Sequence, residues 1–498
     1  MSNLSFERFV ELAATANLIP VWRDILLDTD TAVAAFAKVR RPPFAFLLES
    51  APAGSETWAR YTFLGTEPRE AWRVTDSIVE RWLPDEGWHR ARAVSDPIAE
   101  LQQRIRAEQP AHVPELGAFW GGAVGYFSYD MVRTIERLPH APTRTSSAPD
   151  ALFIFTSAVI ILDNLLGQAR IVVSVPVADA PSPEALRTRY DVARETIDAL
   201  VDRLREPSPL LPLVLEADAP PAVGRSRYER DRFEADVRRI QEYIAAGDCF
   251  QALLSRRIVF PHDFDASSLY RALRALNPSP YMYHLVLDGI ELVGSSPELL
   301  VRVADGKVVV RPIAGTRPRG SREEDVARGA ELLADEKERA EHLMLVDLGR
   351  NDVGRVASYG SVKVTELMAV ERYSHVLHLV SEVEGALREG LSALDVFRAT
   401  FPAGTMTGAP KVRAMEIVDE FEPERRGPYA GAVGYIAAGD ERMDLAITIR
   451  TCVIADGLAS VQAGAGIVAD SVPAREWEET ESKARALLAA LGRLRHRR

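Results

Sequence analysis

The chain has 498 residues, with 60 basic against 72 acidic side chains for a formal charge of −12, and it is 47% hydrophobic and 27% charged. That length allows about two to four folding units, and the composition excludes disorder as the main state. The acidic balance excludes nucleic acid as the main partner, because neutralising phosphates needs a basic face.

The opening MSNLSFERFVELA puts Glu7, Arg8 and Glu11 where an export signal needs an apolar centre. Two cysteines, Cys249 and Cys452, are too few for a disulfide framework and suit a reducing compartment. A cytoplasmic location is expected. Further on, FAFLLES reads as an apolar strand ending at Glu49 and Ser50 before a Pro/Gly turn. The most apolar stretch, ALFIFTSAVIIL, spans about 12 residues, short of a membrane span, and reads as a buried strand pair. No fixed-period repeat occurs, which excludes solenoids and propellers.

Proline and small residues over 206–225 predict a linker between an N-terminal region, 1–205, and a C-terminal one, 226–498. Just beyond it, Ser226 and Glu229 have capping-box spacing, and Phe233, Val237, Ile240 and Ile244 form one face of a helix ending near Gly247. Strand patterns then dominate: ALLSRRIVF, YMYHLVLDG, ELVGSS, ELLVRV, KVVVRPI, VLHLVSEVEG, YAGAVGYI, LAITIRTCVI and ASVQAGAGIV. Helices are predicted over roughly 322–349, 392–400, 410–421 and 474–495. Grouped strands with hairpin-like pairs predict an α+β fold with large antiparallel sheets.

Several constellations carry chemistry. Glu338 and Glu341 lie three apart on one predicted helix, and Glu476 and Glu479 repeat the spacing on another. Brought together, four such oxygen donors suit a hard cation such as Mg2+, although the same spacing also occurs on solvated helix faces. FPAGTMTGAPKVRAMEI runs a Gly/Thr-rich loop into a helix, which suits an anion or merely a Gly-rich cap; its glycine spacing is not that of a Walker loop. QAGAGIV places Gly464 and Gly466 after a strand, as a turn, a bulge or a close approach to ligand. Arg450, within ITIRTCV, is suited to hold a carboxylate bidentately. His375 and His378 sit in an apolar strand pattern; a structural role or acid–base work fits them better than metal binding. Glu49 and Ser50 either cap their turn or hold a small zwitterion, with Glu49 on its ammonium.

Taken in order, PIAGTRPRG, ERAEHLMLVDLGRNDVGRV, HVLHLVSEVEG, FPAGTMTGAPKVRAMEI, GPYAGAVGYI and AGAGIVADSVPAREWEET resemble the chorismate-utilising enzymes along roughly residues 226–490. The N-terminal LLES and the segment NPSPYMYHL extend the likeness over nearly the whole chain. The resemblance implies two large, mostly antiparallel sheets packed as a sandwich with helices outside. It implies Mg2+ held directly by Glu341 and Glu479, with Glu338 and Glu476 acting through water or behind them. It also implies that Tyr429, Arg450, Gly464, Ala465 and Gly466 bind the enolpyruvyl carboxylate, and that Ala314, Gly315 and Thr316 line the substrate site. Thr405 matches a substrate-contacting threonine, and His378 a histidine linked to acid–base work.

Two positions distinguish reactions within the family. Gln251 stands where water-adding members carry a lysine, and an amide cannot activate water as that base does. Ala314 stands where many aminodeoxychorismate-forming members carry a lysine nucleophile, and a methyl group forms no such adduct. Both leave direct attack by ammonia, and the expected product is anthranilate, with aminodeoxychorismate formation or a non-catalytic amino-acid sensor as the alternatives. Neither cysteine lies in a glycine-flanked nucleophile turn, so ammonia is expected from a separate glutamine amidotransferase subunit in a hetero-oligomer. Glu49, Ser50, Arg60, Pro280, Tyr281 and Met282 match an inhibitor pocket, whose expected ligand is L-tryptophan.

Overall fold

Alternating side chains build strands along most of the chain, and in the computed structural model these form two sheets, of eleven and twelve strands. The structure describes residues 4–50, 60–180, 182–373 and 376–495. The first sheet runs Leu18–Leu26, Gln168–Pro176, Ala158–Asp163, Tyr61–Thr66, Phe44–Glu49, Tyr281–Leu287, Ile290–Ser296, Thr451–Ala455, Leu458–Ile467, Gln251–Pro261 and Gly408–Ala409. The second runs Ile313–Pro318, Val376–Ala386, Lys307–Val310, Leu299–Ala304, Met443–Ile447, Ala432–Ala437, Gly122–Phe127, Ala151–Phe155, Glu70–Thr75, Ile78–Leu83 and Gly87–Ala93, with Lys363–Arg372 paired on Val376–Ala386. The neighbouring strands pair antiparallel, as at Phe44–Glu49 with Tyr281–Leu287 and at Ala432–Ala437 with Gly122–Phe127. The expected α+β sandwich is what the chain forms.

Residues 206–224 contain neither helix nor strand, and each sheet takes strands from both sides of that stretch. ALFIFTSAVIIL does hold two buried strands, but they do not pair: Ala151–Phe155 lies in the second sheet and Ala158–Asp163 in the first. The apolar run is thus a crossing between layers, buried by both. No described helix is long and apolar enough to cross a membrane.

Helix starts follow local side-chain chemistry. At Arg230–Ala245 the face Phe233, Val237 and Ile240 is buried as expected. The predicted capping box does not form, because Ser226 accepts from Tyr228 N–H instead. The predicted helix 322–349 is two helices, Arg322–Ala334 and Glu336–Gly354. Ser321 and Glu324 make a capping box on the first. The Asp335 carboxylate then accepts from the N–H groups of Lys337 and Glu338, opening the second. That break puts Glu338 in the first turn of a new helix and Glu341 one turn on, on the side facing the helix Pro473–Arg495.

Candidate functional site

The reaction site is assembled from elements far apart in sequence. The strand pair Gln251–Pro261 and Leu458–Ile467 sets Gly466 opposite Leu253 and Gly464 opposite Ser255. A Cβ on Gly466 would meet Gln251 Nε2 at 2.4 Å. The bare strand therefore lets the Gln251 amide cross it and reach Glu341 Oε1, at 3.4 Å. Ala465 turns to the opposite side, into an apolar cluster with Ile417 and Trp477.

Glu341 is crowded by like charge: burial first, then Glu338 and Glu479, raise its pKa. Burial and Glu479 do the same to Glu476. The four glutamates named from the sequence thus lie on two helices that face each other. Cations already attend two of them. Arg317 donates to Glu338 at 2.9 Å, and Lys483 pairs with Glu479 at 2.7 Å while donating to the Gly464 carbonyl at 3.0 Å. Among the described residues no three of these carboxylates close round a single metal position. Crowded oxygen donors, with the carboxyl pKa values of Glu341 and Glu476 raised, are nonetheless the chemistry a hard divalent cation relieves, so the donor set fits Mg2+.

His378 sits opposite Thr316 in the ladder between Val376–Ala386 and Ile313–Pro318, whose register slips between Ala314 and Thr316. Gly315 occupies the slip with φ +64°, a left-handed turn that costs a side-chain-free residue little. The bulge aims the Gly315 carbonyl at His378 Nδ1, 2.8 Å away, with Thr316 Oγ1 at 3.3 Å. A Cβ at Gly315 would also lie 3.1 Å from Glu338 Oε2, so the bulge abuts the carboxylate cluster. Burial, helped by the Arg450 charge and opposed by the bond to Gly315, pushes the imidazole down to about 4. With Nδ1–H donated to a carbonyl, Nε2 carries the free lone pair. His375, paired with His378 in the sequence reading, lies outside the described residues.

Arg450 does not sit within a strand, as the ITIRTCV pattern predicts. It occupies a left-handed position, φ +52°, between Met443–Ile447 and Thr451–Ala455. Its half-buried guanidinium has its pKa lowered by desolvation and makes no ion pair among the described residues. Tyr429 is buried in a small adjoining pocket with Arg257, Thr451 and Gln462, and burial raises its phenol pKa. Ala314, on the bulge, pairs with Leu379.

A further group escapes the sequence reading. Glu298, in SSPELL, is buried, and desolvation pushes its carboxyl up to about 8, with Thr405 and Lys483 pulling weakly the other way. Thr405 Oγ1 is itself buried and meets no hydrogen-bond partner at regular geometry. The signal available in the sequence was a lone carboxylate inside a strand-like apolar run, SSPELLVRV, where an unpaired charge is costly. Lys483, one helical turn after Glu479, was equally legible and equally passed over.

The six residues matched to an inhibitor pocket all line one cavity of about 350 Å3 between the sheets: Glu49, Ser50, Arg60, Pro280, Tyr281 and Met282. Arg302 and Asp444, paired at 2.8 Å, line it as well, and Arg302 donates to the Tyr281 hydroxyl. The Glu49 carboxylate is already committed: Tyr270 donates to it at 2.6 Å and Arg274 at 2.8 Å, both from the helix Ala266–Leu276. An ammonium assigned to Glu49 would have to join that ion pair. Asp444 Oδ1, by contrast, is buried with no hydrogen-bond partner among the described residues. Arg60 turns to Asp163, at 2.7 Å.

Known proteins resemble this chain over nearly its full length. The family described as chorismate binding enzyme matches residues 48–489. Anthranilate synthase component 1 of Aquifex aeolicus is 46% identical over 98% of both chains. The protein of that name from Pseudomonas aeruginosa is 49% identical over 97% of this chain and 98% of its own. Among solved structures, anthranilate synthase component I from Streptococcus pneumoniae superposes with a TM-score of 0.77 at 36% identity, covering 88% of this chain and 94% of that one. The menaquinone-specific isochorismate synthase of Escherichia coli shares the fold, with a TM-score of 0.68 at 19% identity and 98% of each chain covered.

Proposed function

The chain belongs to the chorismate-binding enzymes, beside the anthranilate synthase component 1 proteins, and from that premise we propose that it converts chorismate and ammonia to anthranilate, pyruvate and water. The observation that carries the reading is one arrangement: four crowded glutamates, a neutral buried acid at Glu298 and a half-buried guanidinium at Arg450 with no ion pair among the described residues. Substrate carboxylates supply what the last of these lacks, and a bidentate anion on Arg450 repays its desolvation. Gln251 and Ala314 favour direct amination over water addition or a lysine adduct.

Glu341 and Glu479, with Glu338 and Glu476 behind them, would hold Mg2+, which supplies charge withdrawal at a substrate carboxylate as the hydroxyl departs. The protein's own groups do the rest. Glu298, protonated at neutral pH, gives its proton to the 4-hydroxyl, which leaves as water while ammonia bonds to carbon 2. Thr405 would donate to the same region of the ring. Loss of the carbon 2 proton then breaks the bond to the enolpyruvyl oxygen; that proton ends on the methylene of the released pyruvate, and the ring becomes aromatic. His378 Nε2, unprotonated at neutral pH, is the acceptor nearest in kind to that task.

A separate glutamine amidotransferase subunit is the proposed ammonia source, and the cavity between the sheets is the proposed site for L-tryptophan as inhibitor. Asp444 Oδ1 fits the ligand's ammonium better than the committed Glu49 does. Incubating the purified chain with chorismate, Mg2+ and ammonium should give anthranilate fluorescence that L-tryptophan suppresses. Chorismate consumed without anthranilate would overturn the reaction assignment, and glutamine-driven turnover by this chain alone would overturn the partner.

A further inference from the structure

The cavity and the reaction site share their walls. Pro297 and Leu299 line the cavity, while Glu298, between them in the connection from Ile290–Ser296 to Leu299–Ala304, turns towards Thr405. Ile313 also lines the cavity, two residues before the Gly315 carbonyl that receives His378. Tyr373 bridges most directly. It lines the cavity and is buried, and its ring stands edge-on to the His378 imidazole at 5.2 Å and 72°. Its hydroxyl donates to Glu371 at 3.0 Å, and Glu371 accepts from Arg311 at 2.7 Å, with both of those side chains also on the cavity wall. Its carbonyl accepts from Arg319, which pairs with Asp325 at 2.6 Å, so the backbone beneath the ring is fixed.

We infer that Tyr373 is a positioning residue for His378 and couples the cavity to the reaction: an aromatic ligand filling the cavity moves the ring, and the ring moves the imidazole. The inference rests on the cavity's reading as an L-tryptophan site. For the ring to couple the two sites on this held backbone it must take a different arrangement when the cavity is filled, and such an element gives reciprocal effects on binding at each. Tyr373 touches no substrate in this account; it acts through His378.

The test is calorimetric binding of L-tryptophan to the full chain, with Mg2+, in the absence and presence of saturating chorismate and without ammonia. The parent should bind L-tryptophan about tenfold more weakly with chorismate present, within the usual range of coupling. Whatever its own affinity for L-tryptophan without chorismate, Tyr373→Leu should lose the coupling, to a factor below about two. Tyr373→Phe keeps the ring and should restore most of the factor. A Tyr373→Leu protein that binds L-tryptophan and retains the parental factor overturns the coupling alone; a parent that binds no L-tryptophan overturns the cavity reading and the coupling with it. A measurement on the parent guards against a misfolded variant. In protein labelled with 13C at histidine Cε1, L-tryptophan should shift the His378 resonance, assigned by its loss in His378→Asn. An unmoved resonance with L-tryptophan bound overturns the inference.

Discussion

Replacing Glu298 by glutamine keeps the shape of the side chain and removes its acidic proton. With the carboxyl pushed up to about 8 from the ordinary 4.5, about nine in ten are protonated at pH 7, against roughly one in 300 for a free glutamate. Burial thus enriches the donor form almost three hundredfold at the pH where the enzyme works. A positioned general acid contributes about 10²–10⁴ in rate, so Glu298→Gln should lower kcat by about that factor. The parent should lose roughly eightfold in kcat between pH 7.5 and 9, as the protonated fraction falls, and that limb should vanish from the residual activity of the variant. The assay is initial anthranilate fluorescence at constant free-base ammonia, since otherwise the nucleophile concentration changes with pH.

Stability should move the opposite way from activity. A carboxyl whose pKa is raised by folding stabilises the native state below its unfolded value, and that contribution is lost as pH climbs through the folded one. From 4.5 to about 8 the loss is about 5 kcal/mol, which Glu298→Gln should escape, so its Tm should match or exceed the parent's at pH 8.5. A variant with near-parental kcat, or a parent with a flat profile from pH 7 to 9, would refute the assignment of Glu298 as the acid.

Gly315→Ala should force the bulge open, because its backbone is left-handed and the new methyl would sit 3.0–3.1 Å from Leu332 and Glu338; kcat should fall at least tenfold while the melting temperature drops by only a few degrees. Arg450→Gln should raise KM for chorismate by ten- to a hundredfold, the worth of a charge-assisted pair, and an unchanged KM in steady-state assays would remove Arg450 from the substrate. Glu341→Gln and Glu479→Gln should each abolish Mg2+-dependent turnover, and near-normal rates at saturating Mg2+ would show that other groups hold the ion. Glu49→Gln weakens the charge-assisted bonds that Tyr270 and the solvent-exposed Arg274 make to a buried carboxylate and should cost about 1.5–3 kcal/mol in urea unfolding, whereas a stability within about 0.5 kcal/mol of the parent would mean that the carboxylate is not committed to the helix.

What was legible in the sequence was whatever repeats locally. The paired glutamates at spacing three, the glycines of QAGAGIV and the bulge-forming PIAGT stand in the chain as motifs, and the fold gathers them as their spacing suggests. Long-range pairing was not legible. Nothing in ALFIFTSAVIIL says that its two strands belong to different sheets, because burial on both faces erases the alternation that would assign a side. The cap at Asp335 was missed because a helical pattern of charges runs straight through it, although its carboxylate is what restarts the helix. Glu49 illustrates a different limit: its place at the cavity followed from the LLES motif, but its pairing with Tyr270 and Arg274, more than 200 residues away, depends on which helix packs behind the strand.

Glu298 and His378 show why the chemistry needed the packing. In water a glutamate is the stronger acid and a histidine the weaker, so at pH 7 the carboxylate would be the proton acceptor and the imidazole the better donor. Here burial disfavours the charged form of each, raising the carboxyl to about 8 and lowering the imidazole to about 4. The ordinary order is reversed. At neutral pH the proton resides on the carboxyl and the lone pair on the imidazole, so in the proposed mechanism they serve as donor for the leaving hydroxyl and acceptor for the later proton without either carrying charge. That division of labour is maintained by a dry interior, and Pro297, Leu299 and Tyr373, which form the cavity side of the same wall, stand between it and the cavity. Whatever fills that cavity therefore bears on the two groups whose protonation the proposed reaction depends on, which is why a change in the packing of Tyr373 should register in kcat as well as in the coupling of chorismate and L-tryptophan binding.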